Sequence, residues 1–200
     1  MIIKGMDGKN SFDGEALPRR GVFMENWYVL FVKNGSEYYV RDVLNHQLDT
    51  TRYISFIPTK HYPHISAGKT QKVVKQFFPG GYVFISSEND PICVIKDLRP
   101  VIYNIKNIYR LLNYGENKNH IVMHPEERDC IKQLLNHDFN ADCSYGFIEG
   151  DKVRVTEGAM TGMENRIVSI NKRKKTVKIK SIMFGAIREV ILMLDMIEKI

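Results

Sequence analysis

Long apolar runs are missing from these 200 residues, and with them any stretch of the roughly 20 needed to cross a bilayer. The first two dozen residues also lack the apolar core of a secretory signal, so the cytoplasm is the expected compartment. Cysteine is sparse. Cys93, Cys130 and Cys143 are odd in number, far apart and without a CxxC pair, so they suggest neither a disulfide framework nor a zinc site. GxGxxG, a phosphate-cradling loop ending in Lys-Ser or Lys-Thr, and a GxSxG elbow are all absent. His61 and His64 straddle Pro63 in a predicted loop, and His120 and His124 span a predicted strand end. Neither pair has a third ligand nearby, so no metal and no cofactor is expected. The acids are scattered over predicted helix surfaces. Together these absences argue against an enzyme and for a protein that works by binding.

What is present is ordinary globular material, 44% hydrophobic and 26% charged, enough for a sizeable core in one or two domains. The net charge of +6 is uneven, with an excess of 2 over residues 24–139 and of 4 over residues 148–200. That bias is compatible with an anionic partner for the C-terminal part. The chain is organised around residues 76–86, QFFPGGYVFIS, where the strongest turn signal meets the most strand-like run. Alternation puts Tyr82, Phe84 and Ser86 on one face of a strand and Val83 and Ile85 on the other. Pro79 and the two glycines bring Phe77 and Phe78 in at an angle, crowding aromatics such as Phe78 and Tyr82 around a bend. Those rings are either core or a binding surface.

Residues 1–23 show no sustained periodicity and read as a flexible leader; Met24, directly before the first strand signal, is a candidate natural start. Residues 27–32 (WYVLFV) predict a central strand that ends at Asn34-Gly35. Ser36 is a candidate N-cap for an amphipathic helix carrying Tyr39, Val40, Val43, Leu44 and Leu48 on one face. A second strand is predicted over 54–58, then a hairpin or mobile loop over 59–75. Asp90-Pro91 opens a helix that Pro100 should kink or end. Strands near 108–114 and 121–123 follow, and then a helix begun by Pro125-Glu126-Glu127 and buried through Ile131, Leu134 and Leu135. The expected fold class is α+β, an N-terminal antiparallel sheet flanked by helices.

The polar stretch 136–145 reads as a linker, taken as 140–147 between a first domain, 24–139, and a second, 148–200. Short strand signals at 152–155, 166–170, 176–180 and 188–193 predict a small antiparallel β-barrel. Within it, Lys172, Arg173, Lys174, Lys175, Lys178 and Lys180 form the densest basic run, a hairpin tip leading into a strand whose Val177 and Ile179 face inward. The run is either a solubilising face or an RNA-binding surface.

The order of a WYVLFV strand, an amphipathic helix, a strand ending in proline, a polar loop and FFPG-GYVF resembles the N-terminal domain of the NusG family of transcription elongation factors. The likeness covers Trp27 to about His137, and Gly81 is an extra glycine that a bulge would absorb at the risk of re-aiming Tyr82. The diverged segment 90–119 suggests a specialised antiterminator paralogue of the LoaP or RfaH kind. Residues 150–170 are similar to the KOW motif of SH3-like barrels through Gly150, Val153, Val155, Gly158, Ile167 and Ile170, with Ala159 and Asn165 as departures. The resemblance implies a monomeric, non-enzymatic factor that binds the RNA polymerase clamp helices through Phe78 and Tyr82, with Trp27 and Phe84 as structural supports. It implies a KOW domain acting as adaptor to RNA, a ribosomal protein or Rho, with Phe184 as an adaptor contact or else an aromatic closing the barrel. Recruitment by a leader RNA hairpin through the basic run is the expected route to chosen operons. The competing expectation is a KOW-type RNA-binding or ribosome-associated protein that never touches polymerase.

Overall fold

The computed structural model describes residues 23–66, 69–114, 120–149 and 152–196. Residues 1–22 of the leader and Gly150 of the KOW-like motif lie outside them.

The first sheet has the strand order β2-β5-β1-β6, built from β1 (Asn26–Val32), β2 (Tyr53–Phe56), β5 (Tyr82–Ser87) and β6 (Ile108–Leu111). β5 lies antiparallel between β1 and β2, with Trp27 opposite Ser86 and Phe31 opposite Tyr82. The alternation read from the sequence divides two cores. Tyr28, Leu30, Val32, Val83 and Ile85 pack against Val40 and Leu44 of α1 (Glu37–Gln47) and Val94, Leu98 and Val101 of α2 (Pro91–Asn104). Trp27, Val29 and Phe84 face the other way, toward Ile131 of α3 (Pro125–Lys132), Leu134 and Leu135.

Local sequence explains most of these elements. The Asp90 carboxylate accepts the Ile92 and Cys93 amides, and Pro91 begins α2. Pro100 does not end that helix. It is exposed, so the Lys96 carbonyl left without its donor can face water, while Leu98 and Val101 hold the flanking turns to the sheet. In α1 the buried face is Val40 and Leu44; Tyr39 is 57% exposed, and Ser36 makes no side-chain cap bond. Residues 121–123 are not a strand; the Met123 amide instead donates to the Trp27 carbonyl.

Residues 59–76 form a full hairpin of β3 (Thr59–Ser66) and β4 (Lys69–Gln76). The expected linker is strand-bearing. β7 (Asn140–Ala141) pairs in parallel with β3, and β8 (Ser144–Glu149) enters the second sheet. That sheet has the order β10-β11-β12-β8-β9, with β9 (Lys152–Glu157), β10 (Ile167–Asn171), β11 (Thr176–Met183) and β12 (Ala186–Met196). All neighbours are antiparallel except β12 and β8, and the curled sheet fits the SH3-like barrel of a KOW domain. Gly158 shows why its motif needs glycine: its φ is +98°, and a Cβ there would lie 2.4 Å from the Cys143 carbonyl oxygen.

Candidate functional site

The bend before β5 creates the site. Gly80 and Gly81 both have positive φ, but only Gly81 is crowded: a Cβ there would sit 2.2 Å from the Val32 carbonyl oxygen. The Val32 amide in turn donates to the Gly81 carbonyl at 2.8 Å. Gly80 is open to space, the β1–β5 register runs without a shift, and Tyr82 stays on the Phe84 face of the sheet. Phe78 is 7% exposed and stacks on Phe84 at 5.2 Å; Tyr82 is half-buried and packs on Phe31 at 5.6 Å.

Both rings are covered by the C-terminal unit. The two-residue turn between β11 and β12, Phe184-Gly185, has positive φ at both positions, the backbone of a type I′ hairpin. Phe184 stacks on Tyr82 at 4.6 Å and meets Phe78 at 5.2 Å. Its left-handed backbone is costly for an aromatic residue and is compensated from α3. The Glu127 carboxylate, 1% exposed, accepts the amides of both Phe184 and Gly185, the latter at 3.2 Å. Glu127 lies in the first turn of α3, where the helix field favours an anion. No sequence signal marks it, because its partners are backbone amides 57 and 58 residues away. Phe184 therefore packs on the aromatic face of the first sheet and does not point free from the barrel tip.

The basic run begins at the other end of β11 and continues along the strand through Lys178 and Lys180. Lys172, Arg173 and Lys174 are exposed on the β10–β11 turn, where the Asn171 side chain accepts the Lys174 amide at 2.9 Å. Lys175 pairs with Asp195 at 2.9 Å and Lys178 with Glu189 at 3.0 Å, while Lys180 is exposed on the same strand. Val177 and Ile179 are buried between them. With an eight-residue strand separating the two turns, the basic tip and the aromatic tip stand roughly 25 Å apart. Of the histidines weighed as ligands, His61 accepts the Cys143 amide through Nδ1 at 3.2 Å, and His120 and His124 meet edge to face at 5.5 Å. Among the described residues no group of three His, Cys, Asp or Glu side chains could hold a metal ion, and no helix is long and apolar enough to cross a membrane.

Comparison with known proteins places the sequence in a family. Residues 25–132 match the family model described as "Transcription termination factor nusG". The chain is 22% identical over 182 residues to the transcription termination/antitermination protein NusG of Helicobacter pylori, covering 88% of this chain and 99% of that one. It is 26% identical over 188 residues to the NusG of Haemophilus influenzae, covering 90% and 96%. Among solved structures it is similar to one described as "Domain interaction in Thermotoga maritima NusG", with a TM-score of 0.41 and 15% identity over 84% of this chain and 93% of that one. With the β5 landmark, the curled second sheet and a family match over more than half its length, the chain belongs to the NusG family of transcription termination and antitermination factors.

Proposed function

We propose that this factor acts by binding RNA polymerase through the Phe78–Tyr82 face, at the clamp helices, and suppresses pausing or termination without catalysing a reaction. The observation carrying this reading is that the face is an aromatic surface on which the chain's own Phe184 already docks. A surface that packs against one protein element has the shape and polarity to pack against another. In the docked arrangement that surface is occupied, so polymerase selects the molecules in which Phe184 has withdrawn, and its observed affinity is reduced by the fraction that has not.

The C-terminal unit then serves as the adaptor, to RNA, a ribosomal protein or Rho. Its basic tip supports RNA: Lys172, Arg173 and Lys174 are exposed, and among the described residues none has a carboxylate within ion-pairing reach. They project from the end of β11 away from the docked turn, so a leader RNA hairpin can be engaged before polymerase is. Lysine supplies point charge and arginine bidentate phosphate contacts for such a backbone.

The test is binding of the full chain to core RNA polymerase, comparing the unaltered protein with Tyr82→Ala and Phe184→Ala. Loss in the first and gain in the second are expected. Failure of all three to bind polymerase while RNA binding persists would establish the competing reading, a KOW-type RNA-binding or ribosome-associated protein. For RNA, log affinity should fall against log salt with a slope of roughly −0.7 to −0.9 per phosphate contact. Alanine at Lys172, Arg173 and Lys174 together should flatten it.

A further inference from the structure

The β3–β4 hairpin carries Lys60, Lys69, Lys72 and Lys75 and has no acidic residue in either strand. Its register sets Lys60 directly opposite Lys75, a like-charge pairing that destabilises a ladder. Among the described residues neither ammonium has a carboxylate within ion-pairing reach. Lys60 is the more enclosed, and burial, with Lys75 beside it, holds its ammonium below the usual lysine range. The Lys60 Nζ lies 5.5 Å from the centre of the Phe77 ring and the Lys75 Nζ 4.3 Å from that of Tyr62. Such contacts orient a cation without cancelling its charge.

Lys60 and Tyr62 line a cleft of about 560 Å³ between this hairpin and the second sheet, a volume typical of small-molecule sites. Across it, β12 contributes Arg188, an exposed second cation. The acid in the lining, Glu189, is already engaged by Lys178. The remaining wall is apolar, with the rings of Phe77, Phe78, Tyr82 and Phe184 beside Pro79, Met183, Val190 and Ile191. Two cations in the lining, with Lys75 over the Tyr62 ring at its margin and no free acid, suit a polyanion, and the adjoining rings suit a planar heterocycle.

We propose that this cleft binds a nucleoside polyphosphate, with its phosphates held by Lys60, Lys75 and Arg188 and its base against the aromatic wall. Because the walls come from both units, the complete site exists only while Phe184 is docked. Bound nucleotide therefore stabilises that arrangement by mass action. The proposal rests on the docked geometry and not on polymerase being the partner.

Calorimetric titration of the full chain with ATP, GTP, inorganic pyrophosphate and adenosine tests it. Both triphosphates should bind, pyrophosphate about tenfold or more weakly, and adenosine not measurably, since phosphate contacts and ring contacts each contribute. Lys75→Met and Arg188→Gln, both at exposed positions, should each cost about tenfold in affinity with no fall in melting temperature. Absence of binding at millimolar triphosphate, pyrophosphate binding as well as ATP, or affinity unchanged in both variants overturns the assignment. So does binding confined to single-stranded oligonucleotides, which would make the hairpin a nucleic-acid surface instead.

Discussion

Phe184 and Tyr82, separated by more than a hundred residues in the chain, stack ring on ring at 4.6 Å with planes 26° apart. Two side chains that the sequence assigns to different partners are partners of one another.

Phe184→Ala removes that stack and the contact with Phe78. Aromatic pairs are worth about 0.5–1.5 kcal/mol each beyond burial, so the ratio of docked to undocked molecules should fall by roughly an order of magnitude. Polymerase affinity of the full chain is expected to rise by up to the same factor. Equilibrium binding to core polymerase, with Tyr82→Ala as the negative control, provides the check.

Glu127 anchors the same turn from α3. Replacing it with alanine leaves the Phe184 and Gly185 amides without their acceptor, at about 1.5–3 kcal/mol for each part-buried bond to a charged group. The expected outcome is release of the C-terminal unit with helix and strand content unchanged. Backbone amide NMR reads it directly, as shifts concentrated at residues 183–186 and around Tyr82. Shifts confined to α3 would mean the turn is held by its rings alone.

Gly81 and Gly80 should part company under substitution. Gly80→Ala pays only for a left-handed backbone, about 1–2 kcal/mol. Gly81→Ala adds a Cβ 2.2 Å from the Val32 carbonyl and must displace β1, so a loss of about 3 kcal/mol or more is expected. Urea midpoints for the two variants decide the order.

Alkaline pH should loosen the α2 side of the first sheet. Burial pushes both the Tyr28 and the Tyr53 hydroxyls up to about 12, with neighbouring acids adding to it. Tyr53 donates to Asp97 at 2.6 Å and Tyr28 to the Asn89 carbonyl at 3.2 Å. A raised folded value means the stability is intact below about pH 10, where the unfolded phenol titrates, and is lost between there and about pH 12. Denaturant midpoints across that range should fall, and Tyr53→Phe should flatten part of the fall.

Much of this was legible in the residues. The period-two pattern around Tyr82 to Ser86 sorted the two cores correctly, as did Val177 and Ile179 against Lys178 and Lys180, because a half-buried strand leaves its burial in its alternation. The Asp90-Pro91 start was equally readable, since the cap is made within three residues. What escaped depends on distant partners. β8 begins inside the polar stretch read as a linker and is a strand because β12 and β9 flank it. Tyr39 sits at helical spacing with Val43 yet lies outside the face that meets the sheet. The Glu127 contact joins a helix to a turn in the other unit, which no local pattern encodes.

Only Asp142 and Cys143 separate β7, fixed to the hairpin, from β8, fixed in the second sheet. Two residues span roughly 7 Å at full extension. Asn140 and Asn136, both bonded to the Asp142 carboxylate, shorten even that reach. A C-terminal unit that lets go of Tyr82 is therefore held on a very short leash, and Phe184 competes for the face at an effective concentration in the millimolar range or above. Any partner must win against a rival that cannot diffuse away, so occupancy of the face will respond to events that lengthen the leash, such as peeling β7 from β3, as strongly as to partner concentration.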